Sequence, residues 1–384
     1  MEIAKRLIVG ILSSMLLCLQ AWAADLKVGM VTSLSGPASS LGIPYANGVR
    51  AGLAYMPEIG GRKVQLLVLD DASDPTAAAR VARKLILDEK VDLLIGAAGV
   101  PATLAVAGLS RESRTPMIAI SPIALAGPEG AWVVTVVQPV PLMISAVVDH
   151  MKDAGVRSVA YIGFADASGD LFYDALVNSA ASAGIKLLAN ERFARSDASV
   201  MGQILKIVAQ RPDAVLDGGT GTPGALPILT LAERNFKGRI YGTHGLINPD
   251  FIRVAGRSGQ GLMAPTGPVM VADQLQIDDP MRKMSLQYRA AYQRSHGEVP
   301  SDAFSAYSFD AWLVFADAAK RALSKAEPGS EAFRLALRDA IVTGKDVVGT
   351  HGVYNFNADS RYGVDERARV MVRLDEGKWK LVSQ

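Results

Sequence analysis

Leu26-Lys27-Val28-Gly29-Met30-Val31, Val64-Gln65-Leu66-Leu67-Val68-Leu69 and Val91-Asp92-Leu93-Leu94-Ile95 are the runs that decide the fold. Each is short and mostly apolar along its whole length, not on one face alone. Between the first two lie a Ser/Gly/Pro loop and a helix expected from about Pro44. Between the second and third, Pro75 to Glu89 has helical patterning. Strands apolar on both faces and separated by helices form a parallel sheet covered on both sides. Met117 to Ile120 and Trp132 to Val137 extend the series. Near Val156 the pattern restarts, with strand-like Val159–Ile162, Ala214–Leu216 and Arg239–Tyr241 and helices between them. Two rounds of one pattern imply an α/β protein of two doubly wound parallel-sheet lobes. Ligands bind such sheets at the carboxyl ends of their strands, so two facing lobes make a cleft. Beyond about Asp279 the chain reads as helical through Tyr292, Trp312 and Leu337, then ends in strand-like Gly352–Phe356 and Ala368–Leu374. Phe304, Tyr307 and Trp312 have a cleft-lining reading, beside the commoner one of aromatic residues on a helix as core.

The start of the chain carries an export signal. Lys5 and Arg6 precede an apolar run from Leu7 to Leu19, and Ala21-Trp22-Ala23 places small residues where a signal peptidase reads. Residues 1–23 are therefore expected to be a signal peptide and the protein periplasmic. The run is short for a membrane span, which needs about 20 residues. Leu16-Leu17 before Cys18 disfavours a lipid anchor, since a small residue would normally precede a lipidated cysteine. Cys18 is the one cysteine in the chain, so the exported part has no disulfide, thiolate nucleophile or cysteine metal site. Forty basic and 38 acidic residues leave a net charge of +2, and no basic patch speaks for nucleic acid.

Several motifs have a bland reading beside the functional one. Asp70-Asp71-Ala72-Ser73-Asp74-Pro75 puts three carboxylates at a strand end. Asp74 suits an N-cap and Pro75 the first helical position, which is preferred over a cation site needing six or more oxygens. Gly219-Thr220-Gly221-Thr222-Pro223-Gly224 matches G-x-G-x-x-G, but the region about 20 residues on, Tyr241-Gly242-Thr243-His244, lacks the acid that would hold a ribose. Those glycines are expected to bring backbone close to a cleft instead. His150, His244, His296 and His351 show no paired metal-ligand spacing. His150 and His296 read as surface residues, and His244 stands at the carboxyl end of a strand. No nucleophile elbow or Walker loop is present. The expectation is no enzyme, no cofactor and no metal.

Ser33-Leu34-Ser35-Gly36-Pro37, Gly60-Gly61-Arg62-Lys63-Val64, Asp70-Asp71 through Pro75, Val91 through Gly96, and Ile118 through Pro122 resemble the leucine/isoleucine/valine-type periplasmic binding proteins, in order and in spacing. The resemblance runs over essentially all of the chain after the leader. It implies the type I periplasmic binding protein fold, with three hinge crossings. Lobe one would comprise residues 24–139 and 268–343, and lobe two 140–267 and 344–384. It also implies a solute-binding component of an ABC importer, with a small-molecule ligand and a membrane permease as partners. A monomer is expected.

The departures from that family concern the ligand. The turn that holds an amino acid's carboxylate is matched here by Gly99-Val100-Pro101-Ala102-Thr103, where only Thr103 keeps a hydroxyl. A second gripping turn is matched by the apolar Ile123-Ala124-Leu125, the lobe-two tyrosine by Ser168, and the glutamate facing the ammonium by His244. A buried ammonium without its carboxylate partner costs several kcal/mol, and each ~1.4 kcal/mol is tenfold in affinity. The resemblance with these departures implies a carboxylate with an apolar, aromatic or keto-acid body and no α-amino group. Ile123, Leu125, Val100, Leu41 and Phe172 would wall it. Thr103 and Ser121 would hold it on lobe one, and Ser168, Phe172, Thr220 and His244 would close from lobe two. A branched-chain amino acid carrier and a sensory module remain as alternatives. A sensor of this fold would normally be joined to a membrane span or a further domain, and neither is expected here.

Overall fold

A computed structural model describes residues 24–123, 130–357 and 360–383. The expected signal peptide, residues 1–23, lies outside them. The strands are β1 (Leu26–Thr32), β2 (Glu58–Ile59), β3 (Arg62–Asp70), β4 (Leu93–Gly96), β5 (Met117–Ala119), β6 (Val133–Thr135), β7 (Ser158–Phe164), β8 (Lys186–Phe193), β9 (Ala214–Gly218), β10 (Arg239–Gly242), β11 (Met263–Thr266), β12 (Val347–Val348), β13 (Val353–Tyr354), β14 (Val370–Asp375) and β15 (Lys378–Ser383). The helices are α1 (Ser39–Tyr55), α2 (Pro75–Leu87), α3 (Val100–Ser113), α4 (Val140–Asp153), α5 (Ala167–Ala183), α6 (Met201–Ala209), α7 (Ala225–Glu233), α8 (Pro249–Ala255), α9 (Pro280–His296), α10 (Phe304–Ala322) and α11 (Glu331–Val342).

One sheet runs β2-β3-β1-β4-β5-β6 and the other β15-β14-β11-β10-β9-β7-β8. Five strands in each are mutually parallel, with β1 between β3 and β4, and β9 between β7 and β10. This is the two-sheet α/β architecture that the sequence led one to expect. Parallel strands need both faces covered, and Val28, Met30, Val31, Leu93, Leu94, Ile95, Met117 and Ile118 are fully buried. The chain returns to the first sheet's side after β11, where α9 and α10 pack along α1. Fully buried Trp312 anchors that contact, its indole donating to the Met56 carbonyl at 3.3 Å.

The N-cap reading of Asp74 holds: its carboxylate accepts from the Ala77 N–H at 2.7 Å and Pro75 opens α2. Asp70 accepts from Leu34 and Ala72 amides, and Asp71 from the Ser33 hydroxyl and the Ser73 amide. These carboxylates are occupied in shaping a loop.

Four local expectations are corrected. Helix α1 begins at Ser39, not Pro44, and Pro44 lies inside it. Proline's preference for a first turn gives way here because the earlier start buries Leu41 and Tyr45. The second sheet is not all parallel, since β14 pairs antiparallel with β11 and β15 with β14. Val353–Tyr354 joins neither sheet but pairs with Val347–Val348 as a separate ribbon. His150 is half-buried, not free at the surface, with Nδ1 3.0 Å from the Tyr241 hydroxyl; burial, then the Arg239 charge, lowers its pKa. Among the described residues no helix is long and apolar enough to cross a membrane.

Candidate functional site

The two sheets turn the carboxyl ends of their strands toward one another. From the first come the turn after β4, with Ala98, Gly99 and Val100, and the segment after β5, with Ser121 and Pro122. From the second come Ser168 and Phe172 after β7, Arg195 after β8, Thr220 after β9, and His244 and Gly245 after β10. Leu41 and Tyr45 of α1 and Phe304 and Tyr307 of α10 complete the wall with Val137. These residues enclose a small cavity of about 30 Å³, room for about two or three waters. It opens past Gly99 and Arg195 into a vestibule of about 430 Å³ beside Ser33, Ser73, Asp166 and Ser196.

Most of the wall is apolar. Phe304 packs edge-on against Tyr45, ring centroids 5.4 Å apart, and Phe172 edge-on against His244 at 5.7 Å. His244 is nearly inaccessible, and burial pulls its pKa down to about 4, so its ring is neutral. Its Nδ1 is buried without a hydrogen-bond partner. A neutral imidazole carries one donor and one acceptor nitrogen, so a polar ligand atom placed there would satisfy it.

Arg195 is the one charged side chain among the described residues of the inner wall. Its Nε donates to Asp166 Oδ2 at 2.7 Å and its Nη1 to Thr220 Oγ1 at 3.2 Å. The guanidinium lies 3.9 Å from the centre of the Phe164 ring. Asp166 is itself fixed as the N-cap of α5, accepting from Ser168 and Gly169 amides. Two of the five guanidinium N–H donors are used in these bonds, so three remain for an anion. Opposite it, α3 begins at Gly99 with no side-chain cap, which leaves a positively polarised helix end at the cavity wall.

The loop Gly219–Gly224 does bring backbone close. Gly221 has φ +62°, and a Cβ there would stand 2.8 Å from Ser40 Oγ across the cleft. The next amide, Thr222 N–H, donates to that hydroxyl at 3.2 Å.

Of the residues expected to bind ligand, Leu41, Gly99, Val100, Ser121, Ser168, Phe172, Thr220 and His244 converge on the cavity. Thr103 does not: it is fully buried, and its hydroxyl accepts from the Ala97 amide and donates to the Gly99 carbonyl. It shapes the turn and does not line the cavity. Ile123 sits in the hydrophobic core behind the wall. Ala124 and Leu125 lie outside the described residues. Phe304 and Tyr307, left between core and cleft by the sequence, line the cavity. Tyr45, Ala98, Pro122, Val137, Arg195 and Gly245 had no sequence signal marking them.

Residues 25–364 match the family described as periplasmic binding protein. The chain belongs to that family. Its members are solute-binding proteins of ABC-type importers that take up a small molecule and deliver it to a permease. A Leu/Ile/Val-binding protein, BraC3 of Rhizobium johnstonii, is 24% identical over 82% of this chain and 84% of its own length. An extracellular ligand-binding receptor from Rhodopseudomonas palustris HaA2 is 39% identical, with a TM-score of 0.90 over 94% of this chain and all of its own. A solute-binding protein from R. palustris, solved in complex with benzoate, shares the fold at 21% identity, with a TM-score of 0.78 over 94% of this chain and 96% of its own.

Proposed function

We propose that the cleft captures a small carboxylate with an apolar, preferentially aromatic body and no α-amino group, for delivery to an ABC permease. One observation carries this reading. The inner wall offers a cation, Arg195, and no carboxylate among its described residues. Asp166, the acid paired with Arg195, is already held by it and by two amides. A zwitterionic amino acid would find a partner for its carboxylate and none for its ammonium, at a cost of several kcal/mol. An aromatic acid instead meets Tyr45, Phe172, Phe304 and Tyr307 around its ring. Ring-on-ring contacts add about 0.5–1.5 kcal/mol each beyond burial.

In this reading residues 24–139 and 268–343 form lobe one, and 140–267 and 344–384 form lobe two. The ligand settles against the Gly99 turn and Ser121, and lobe two closes with Arg195, Thr220 and His244. Closure is favoured because only the closed form contacts the ligand from both sides. The test is a thermal-shift and calorimetric screen against benzoate, branched keto acids, leucine and valine. At about one hundred times its Kd a ligand adds about 2.7 kcal/mol of stability. A large shift with benzoate or a keto acid and none with leucine supports the proposal; the reverse makes this a branched-chain amino acid carrier.

A further inference from the structure

Behind the cavity wall, three stretches of chain that connect the two sheets meet around α10. Gln138 lies just after β6, Gly267 just after β11, and His351 and Ala368 between β12 and β14. All four are buried, and Tyr307, which lines the cavity, touches Gln138 and His351. Its hydroxyl donates to Gln138 Oε1 at 2.5 Å. Gln138 Nε2 in turn donates to the Ala368 carbonyl at 2.8 Å and stands 3.4 Å from His351 Nδ1. The Tyr307 and His351 rings stack face to face, centroids 3.8 Å apart and 10° from parallel.

The hydrogen bonds fix the histidine's form. His351 Nε2 lies 3.0 Å from the Ala303 carbonyl, which can only accept, so Nε2 carries the proton and Nδ1 accepts from Gln138. One turn along α10, Asp310 accepts from the Thr350 and His351 amides at 2.7 and 3.0 Å. Gly267 presses into the same knot: a Cβ there would stand 1.8 Å from His351 Nδ1 and 2.8 Å from Gln138 Nε2. The connecting stretches are thus tied to one another and to a tyrosine whose ring borders the ligand space.

We infer that Tyr307 is the positioning residue through which an occupied cavity sets the hinge. This rests on the carboxylate-binding reading for its choice of probe, though not for its geometry. A ligand packed on Tyr307 restrains its ring, and the ring restrains Gln138 and His351. The connecting stretches then hold the closed arrangement, and ligand release requires the Tyr307–Gln138 bond to break. Fully buried, this bond lies in a low-dielectric setting where such bonds are strengthened by their neighbours.

The test uses Tyr307→Phe, which keeps the stack on His351 and removes the hydroxyl, and Gln138→Leu. Each is made in a Cys18→Ser background carrying Lys63→Cys and Asn178→Cys on exposed sites of the two sides for a spin-label pair. Distances between the labels are measured without ligand and with benzoate, and benzoate dissociation is followed by stopped flow. Both variants are expected to shift the ligand-free distances toward the open form and to release benzoate about tenfold faster, with association unchanged within twofold. Phe172→Leu serves as the contrast. Phe172 lines the cavity from the second sheet's side and packs on His244, so its loss should weaken binding yet leave the ligand-free distances unchanged. Ligand-free distances in Tyr307→Phe and Gln138→Leu that overlay the wild type overturn the inference. If the wild type fails to bind benzoate, the carboxylate reading falls, and the ligand-free distances still decide the role of Tyr307.

Discussion

Replacing Arg195 by glutamine removes the cation of the cleft while keeping a polar side chain of comparable reach. A hydrogen bond to a charged group contributes about 1.5–3 kcal/mol, and each ~1.4 kcal/mol is tenfold. The affinity for benzoate, or for the carboxylate giving the largest thermal shift, should therefore fall by roughly 10- to 150-fold. The loss of stability should be smaller. Asp166 keeps its two amide donors, and both side chains of the ion pair are about one-fifth exposed, at 22% and 23%. A pair so placed contributes about 1 kcal/mol or less, and the guanidinium over Phe164 about as much again. Calorimetry on Arg195→Gln, Arg195→Lys and Thr220→Val separates charge from geometry. Lysine restores a point charge without the fork and should fall between glutamine and wild type. Thr220→Val removes the Nη1 partner but no charge and should cost threefold or less. A folded Arg195→Gln that binds within twofold of wild type refutes the assignment of the carboxylate to Arg195.

His244→Glu places an acid where this chain has a neutral ring; benzoate affinity should drop at least tenfold and leucine binding should rise, both read by calorimetry. Gly221→Ala puts a methyl against Ser40 at positive φ; it should weaken ligand binding severalfold through impaired closure and also lower the thermal midpoint, because that backbone conformation strains an alanine by about 1–3 kcal/mol. Buried Asp217, pushed up to about 8 by desolvation, ionises in the unfolded chain near pH 4 but stays protonated when folded. Its contribution is therefore full below pH 4 and lost as pH rises to about 8. The stability of Asp217→Asn relative to wild type should increase across that window and level off above it, in urea titrations at stepped pH. His244 and His351, held by burial down to about 4 and about 3, act in the opposite sense: their contribution is present above about pH 6.5 and disappears as pH falls through those values.

The strands most visible in the sequence were those with the longest apolar runs. Val91–Ile95 is apolar because both its faces are buried, and Val64–Leu69, though mostly half-buried, keeps an apolar run; β3 and β4 fall on them with small changes at the ends. The missed strands are different in kind. Lys186–Phe193 and Lys378–Ser383 form opposite edges of the second sheet, and an edge strand half-facing water mixes Lys, Asn, Glu and Arg into its run. Met263–Thr266 carries Pro265, which masks its strand pattern.

The site was legible chiefly where a cavity residue sits on the same turn as a fold-defining strand end. Gly99, Ser121, Ser168, Thr220 and His244 each stand within a few residues of such an end, so strand order alone brings them together. Arg195 follows β8, the edge strand that sequence patterning concealed, and neither its role nor its place could be inferred without that strand. Tyr45 was hidden, and Tyr307 left undecided between core and cleft, for another reason. On buried helices the spacing that marks a core face also marks a cavity wall, because both require the same apolar stripe. What separates them is whether the space opposite is filled, and that depends on how the two lobes meet. A family likeness can thus show which amino-acid-binding groups are replaced, as at His244, while Arg195, the one charged side chain among the described residues of the inner wall, becomes visible only when β8 is set beside β7.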